Sequence, residues 1–164
     1  MLNIHFDEAD HRIRAPRFSL PDGQGGRVSS GDFYEAANLV LLFLHETGCA
    51  ACRLFLLQVS KRMADFAGEA ARLIAIYPQP ADALREPPLV SRGEILHLSD
   101  ENGAVRKNYL DLMADDLVRP GEVMLFVLDA YGAPYACLKG EEPDIPAIDD
   151  LLAWLRFIGI QCPE

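Results

Sequence analysis

The sequence predicts an α/β sandwich, one domain built on a mixed sheet, and three observations predict it. Apolar runs at Leu39 to Leu44, Arg72 to Tyr77, Ile95 to Leu98 and Val123 to Leu128 alternate with stretches of helical period. That alternation is the mark of a sheet buried beneath helices. A turn at Asp129 to Gly132 sends the chain back as Pro134 to Lys139, so a hairpin and a final helix close the fold. The chain has 164 residues, half of them apolar and 24% charged, which suits one domain with a sizeable core.

Taken in order, residues 1–14 are polar and mixed, and read as a loosely held extension ahead of a domain over residues 15–164. Ala15 to Asp22 alternates between prolines and reads as a short edge strand, with Gly23 to Gly26 as a turn and Arg27-Val28 returning as its hairpin partner. Ser29 or Ser30 can cap a short helix through Ala37, with Asp32 and Glu35 in its first turns. Ala50 to Ala67 is the strongest helical pattern. Its Phe55, Leu56, Val59, Met63, Phe66 and Ala67 share one face, and Gly68 is placed to end it in the left-handed conformation. Prolines interrupt Pro78 to Gly93, leaving at most one helical turn near Ala81 to Glu86. Val105 to Met113 reads as a helix with Val105, Tyr109, Leu112 and Met113 on one side. Pro146 pre-sets the last helix, Asp149 and Asp150 favour its positive end, and Ile148, Leu151, Leu152, Leu155 and Ile158 line its core face. Gly159 closes that helix, and Trp154 falls off its apolar stripe, placed to cover an edge or meet a partner.

The net charge of -10 argues against nucleic acid or an anionic membrane as partner, because nothing offsets the phosphate field. No apolar run is long enough to span a bilayer, and the N-terminus lacks an apolar stretch behind basic residues. A cytoplasmic location is therefore expected. In a reducing compartment the four cysteines are reactive or buried thiols rather than permanent staples.

The central apolar run feeds His45-Glu46-Thr47-Gly48 and then Cys49-Ala50-Ala51-Cys52 at the start of the strongest helix. A buried strand leading into Cys-x-x-C at a helix start is a redox arrangement. The spacing puts both sulfurs on one helical face. Cys49 is expected in the first turn, where unbonded N–H groups favour a negative sulfur, and as the more exposed of the pair it takes the role of attacking thiol. Cys52 resolves the mixed disulfide. Arg53 can help to hold a thiolate. His45 can take the Cys49 proton or be a loop histidine bonded to backbone, and Glu46 can serve Cys52 or be a solvated turn residue. Cys162, past the last helix, reads as a third redox thiol, an intermolecular link or a bystander, and Cys137 as core. The cysteine pair can also be a degenerate site that packs or binds metal. A zinc site from Cys49, Cys52, His45 and Cys162 lacks a second tight cysteine pair, so no metal and no cofactor is expected.

Four stretches carry a family resemblance. APRFSLPDGQGGRVSSGDF is similar to the opening APxFxLxDxxGxxVxLxDF of the redoxin branch of the thioredoxin-like superfamily, the AhpC/TSA and TlpA/ResA type. The strand with Cys49 to Cys52 resembles the branch's active-site turn, ILHLSDENGAVRKNYL its L-S-D-x-x-G-x-V-x-x-x-Y segment, and VMLFVLDAYGAPY its closing hairpin. The resemblance implies a thioredoxin-like three-layer α/β/α sandwich with a mixed central sheet and an N-terminal hairpin. It also implies a thiol–disulfide oxidoreductase that exchanges its dithiol with a protein disulfide and is recharged by a cellular thiol. Redoxin folds pair through their edges, so a homodimer is implied too. A peroxiredoxin-like thiol peroxidase acting on peroxide and a non-catalytic binding module are the alternatives. The P-x-x-x-T-x-x-C pattern of peroxiredoxins finds Leu42 and Glu46 before Cys49, and His45 and Cys49 before Cys52. Their arginine falls on Val123, as does the cis-proline of dithiol oxidoreductases, with Pro120 three residues early. The aromatic before the first cysteine is Gly48, and the buried acid of thioredoxins is Phe43.

Overall fold

The computed structural model describes residues 2–5, 13–45, 49–85, 94–113, 122–141 and 146–160. Eight strands and four α-helices are formed in those residues: β1 Leu2–His5, β2 Ser19–Pro21, β3 Arg27–Ser29, β4 Asn38–Phe43, α1 Ala50–Ser60, α2 Met63–Gly68, β5 Ala71–Tyr77, β6 Ile95–Ser99, α3 Ala104–Leu112, β7 Glu122–Leu128, β8 Pro134–Glu141 and α4 Ile148–Ile160. A six-stranded sheet runs β1-β8-β7-β4-β5-β6, and β2 and β3 form a separate hairpin. Strands β4, β5 and β6 are parallel, while β7 lies antiparallel to β4 and β8 antiparallel to β7. This is the expected mixed sheet.

Every residue of β4 is buried, as is every residue of β7, because both faces of these central strands are covered. Alternate residues supply two cores. Val40, Leu42 and Leu44 face Phe55, Leu56, Val59 and Phe66 of α1 and α2 and Leu151, Leu152 and Leu155 of α4. Leu39, Leu41 and Phe43 face Tyr109, Leu110 and Met113 at α3, with Phe18 and Leu20 of the hairpin. The result is the expected three-layer α/β/α sandwich.

Local chemistry explains most boundaries. Ser29 caps a short 3-10 helix, Ser30–Phe33: its hydroxyl accepts from the Gly31 N–H at 3.2 Å and its own N–H donates to Asp32 Oδ2 at 3.0 Å. At the β7–β8 turn, Asp129 Oδ1 accepts from the N–H groups of Tyr131 and Ala133, and Gly132 takes φ of 78°.

The structure corrects several expectations. Residues 2–5 are an edge strand of the main sheet, antiparallel to β8, so the segment read as a loose extension contributes to the sheet. The pattern from Ala50 to Ala67 is two helices. Its break lies at Arg62, which leaves helical geometry and whose guanidinium bridges Asp65 and Asp149. Ala67 is exposed rather than on the core face. Gly68 is still helical, and Ala70 is the left-handed residue, with φ of 50°, that turns the chain into β5. Helix α4 runs one residue past Gly159. Trp154 is partly buried against the α1-side core. Glu86 and the prolines at 87 and 88 lie outside the described residues.

Candidate active site

The site is built where β4 ends. Leu44 still belongs to the sheet, its N–H donating to the Ile76 carbonyl at 2.8 Å, and the His45 carbonyl accepts from Gln79 Nε2 at 3.5 Å. Glu46, Thr47 and Gly48 lie outside the described residues, as do Pro120 and Cys162. The chain then enters α1 at Cys49, which is its N-cap. The Cys49 sulfur accepts from the Cys52 N–H at 2.9 Å, the contact that a serine or aspartate side chain makes at an ordinary helix start.

Cys49 and Cys52 are joined in a disulfide, with Cα atoms 5.3 Å apart. Spacing by three brings the sulfurs together because residues three apart stand one above the other at a helix start. Cys49 is 3% exposed and Cys52 1%, which keeps the expected order, but both are buried and neither sulfur stands out in solvent. A cap residue directs its side chain back over the first turn, here toward the sheet, and both sulfurs join the core formed by Leu44, Val123 and Leu56.

His45 is brought to the pair. One of its ring nitrogens and the two sulfurs lie within 4.8 Å of one another. Val123 also reaches this region. It is 5% exposed on β7 in the same core cluster as the cysteines, an apolar wall where the family resemblance has arginine or proline. Among the described residues no peptide bond is cis. Arg53 does not join the site; its N–H donates to the Cys49 carbonyl but its side chain is exposed. Phe43 explains the missing acid: it points to the opposite face, its ring centroid 5.1 Å from that of Tyr109 and 6.0 Å from that of Phe126. An ionised carboxylate in that aromatic cluster would be uncompensated.

Sequence reasoning missed Arg106. From α3, on the far face of the sheet, its guanidinium donates to the Leu44 carbonyl at 3.2 Å and the Glu122 carbonyl at 2.6 Å. It therefore clamps the end of β4, one residue before His45, to the start of β7, one residue before Val123. Burial holds the Arg106 guanidinium below its ordinary range, with Glu122 and Asp100 acting the other way. Asp100 fixes the clamp. It is 3% exposed and its carboxylate accepts from the N–H groups of Val105 and Arg106 at the start of α3. The signal was present in the Ser-Asp-x-x-Gly-x-Val-Arg run: an acid placed to cap a helix with a long cation in its first turn.

Nearby, Tyr77 OH lies 2.9 Å from His97 Nδ1 and the rings stack. Burial lowers the His97 pKa to about 4 and raises that of Tyr77. Burial also pushes the Cys137 thiol up to about 12, consistent with its reading as core. A cavity of about 150 Å3 lies at the opposite end of the sheet, lined by Arg17, Tyr34, Leu39, Leu128 and Tyr131, and holds none of the cysteines.

With this geometry in hand, comparisons with known proteins place the chain. The AhpC/TSA family model matches residues 12–132. Among solved structures, the peroxidoxin BcpB of Mycobacterium tuberculosis superposes with a TM-score of 0.73 at 20% identity, over 92% of this chain and 97% of that one. The reduced 2-Cys peroxiredoxin of Plasmodium vivax gives 0.70 at 15% identity, over 89% and 80%. The mitochondrial 2-Cys peroxiredoxin of Plasmodium falciparum gives 0.67 at 18% identity, over 92% and 98%. No curated protein sequence matches. At these identities the structural likeness speaks to the fold, and it is the thioredoxin-like fold of the redoxin branch. The family match covers most of the chain, and with it β4, the cysteine turn and the strands and helices as far as β7: the chain belongs to the AhpC/TSA family and is an oxidoreductase.

Proposed function

We propose that the chain is a thiol–disulfide oxidoreductase that cycles Cys49 and Cys52 between dithiol and disulfide against a protein partner. The observation that carries this reading is the Cys49–Cys52 disulfide at the cap of α1. In the reduced chain the Cys49 thiolate attacks a sulfur of the partner's disulfide, forming a mixed disulfide and releasing one partner thiolate, which takes up a proton. The Cys52 thiol, losing its proton, attacks the Cys49 sulfur, which forms the intramolecular disulfide and releases the second partner thiol. The Cys52 N–H and the start of α1 favour a negative charge on Cys49. His45, with a ring nitrogen within 4.8 Å of the sulfurs, accepts the proton through one water or after a small closure. Exposed Leu54 and Leu57, on the solvent-facing side of α1, offer apolar surface for a protein substrate. A cellular thiol restores the dithiol, the setting is the reducing cytoplasm, and two copies pair as a homodimer.

A thiol peroxidase is the second reading, favoured by the peroxidoxin and peroxiredoxin identities of the structural relatives. There the thiolate would attack one peroxide oxygen, breaking the O–O bond so that the other leaves as water or an alcohol on protonation. Cys52 would condense with the resulting sulfenic acid, releasing water. The apolar Val123 where the family's arginine would stand weighs against it, since a departing oxygen needs donors. The test is a paired assay on the full chain. Protein disulfide reduction coupled to a thiol reductant should exceed peroxide consumption, and Cys49→Ser should abolish it by roughly 100-fold or more. Rapid peroxide consumption with no protein disulfide reduction would reverse the choice.

A further inference from the structure

The cysteine pair and His45 form a group that disulfide exchange alone does not require. Two sulfurs and one imidazole nitrogen lie within 4.8 Å of one another at the junction of β4 and α1. We propose that the reduced chain holds one Zn2+ on Cys49, Cys52 and His45, so that the site is a metal centre when reduced and a disulfide when oxidised.

The donor set and its dimensions suit zinc. Tetrahedral zinc with Zn–S of about 2.3 Å and Zn–N of about 2.0 Å needs its donors about 3.6–3.8 Å apart. Reduction supplies that spacing. Breaking the disulfide moves the sulfurs from bonded to van der Waals separation, and the Cα atoms, 5.3 Å apart, already hold both side chains on one side of the helix start. The ring nitrogen, within 4.8 Å of both sulfurs, needs at most about an ångström of movement. Cys-x-x-C is itself the commonest half of a zinc site, and here the third donor comes from the strand end rather than from a second cysteine pair.

Charge selects the ion. Two thiolates and a neutral imidazole around a divalent cation sum to zero, which suits sulfurs only 3% and 1% exposed. A monovalent soft cation would leave one negative charge buried without compensation. Binding is balanced by proton release: each thiol gives up one proton as its sulfur takes the metal. A phosphine converts the disulfide to the dithiol beforehand: it gives two electrons and becomes the phosphine oxide, with water supplying the oxygen and the two protons.

The experiment titrates the full chain with Zn2+ alone, against a chromophoric chelator, in two states of the same protein. The phosphine-reduced chain should bind one equivalent, and the disulfide form should bind at least roughly 100-fold more weakly because its sulfurs are no longer thiolates. X-ray absorption on the zinc-loaded parent should show two sulfur neighbours and an imidazole nitrogen. Cys52→Ser and His45→Ala should each weaken binding at least about tenfold, with far-UV circular dichroism unchanged. Equal binding by both redox states overturns the proposal, as does a zinc shell of two sulfurs without imidazole in the parent. Because the redox and absorption comparisons use the unmutated chain, a poorly folded variant does not blunt them. Disulfide exchange is assayed without zinc, so failure of this proposal leaves that reading standing.

Discussion

At the scale of single residues, the reactive pair was legible and its support was not. Cys49 and Cys52 stand out because their spacing is chemical information carried within one turn of helix. Arg106 does not stand out, because its work depends on two carbonyls far away in sequence, at Leu44 and Glu122. The same limit hid how deeply Cys49 is buried. Helical spacing told which residues share a face, but not that the cap side chain turns inward, leaving it 3% exposed. Arg106 gives a direct prediction. Arg106→Met removes two charged hydrogen bonds to buried carbonyls, and should lower stability by about 2–4 kcal/mol in urea unfolding. Arg106→Lys should recover less than half of that, because one ammonium cannot span both carbonyls as the planar fork does. A loss of under about 0.5 kcal/mol in Arg106→Met would show that the strand ends do not depend on the clamp.

At the scale of elements, period carried most of the information. Strands β4, β5, β6 and β7 lie where largely apolar runs placed them, and α4 buries all five residues assigned to its core face. Ends and interruptions were less legible. The break between α1 and α2 falls at Arg62, whose side chain also reaches Asp149, 87 residues away, a contact that no local pattern contains. Strand β1 was missed because a short polar segment forms an edge strand only when a neighbour, here β8, offers free backbone groups. Gly68 invited the left-handed role, yet Ala70 fills it. There Asn38 receives the chain, its N–H bonding the Ala70 carbonyl at 2.9 Å and its side chain the Glu69 carbonyl at 3.1 Å. An alanine in that conformation costs about 1–2 kcal/mol, partly offset because glycine is freer in the unfolded chain. Ala70→Gly should therefore raise stability by about 0.5 kcal/mol in denaturant unfolding, and a loss would mean that the strain is not there.

At the scale of the whole molecule, the fold was legible because the order of strands, turn, helices and closing hairpin constrains topology more than any single motif does. Titration behaviour was not, since it depends on burial. His97 shows this. Its pKa falls from 6.5 to about 4 through burial beside Tyr77. Between those values the unfolded chain binds a proton that the folded chain does not, so this group's contribution to stability falls as pH drops from 6.5 toward 4. Its full loss is about 3 kcal/mol. The slope of unfolding free energy against pH in that window should flatten in His97→Phe, which keeps a ring against Tyr77. An unchanged slope would assign the pH dependence to other groups.

The central claim is that Cys49 attacks and Cys52 resolves. Trapping tests it most directly. Reduced Cys52→Ser protein, mixed with a disulfide-bonded protein substrate and digested for mass spectrometry, should accumulate a mixed disulfide joined through Cys49. The parent should instead show the Cys49–Cys52 disulfide and free substrate thiols. An adduct joined through Cys137 or Cys162, or no adduct under conditions where free thiols react, would contradict it.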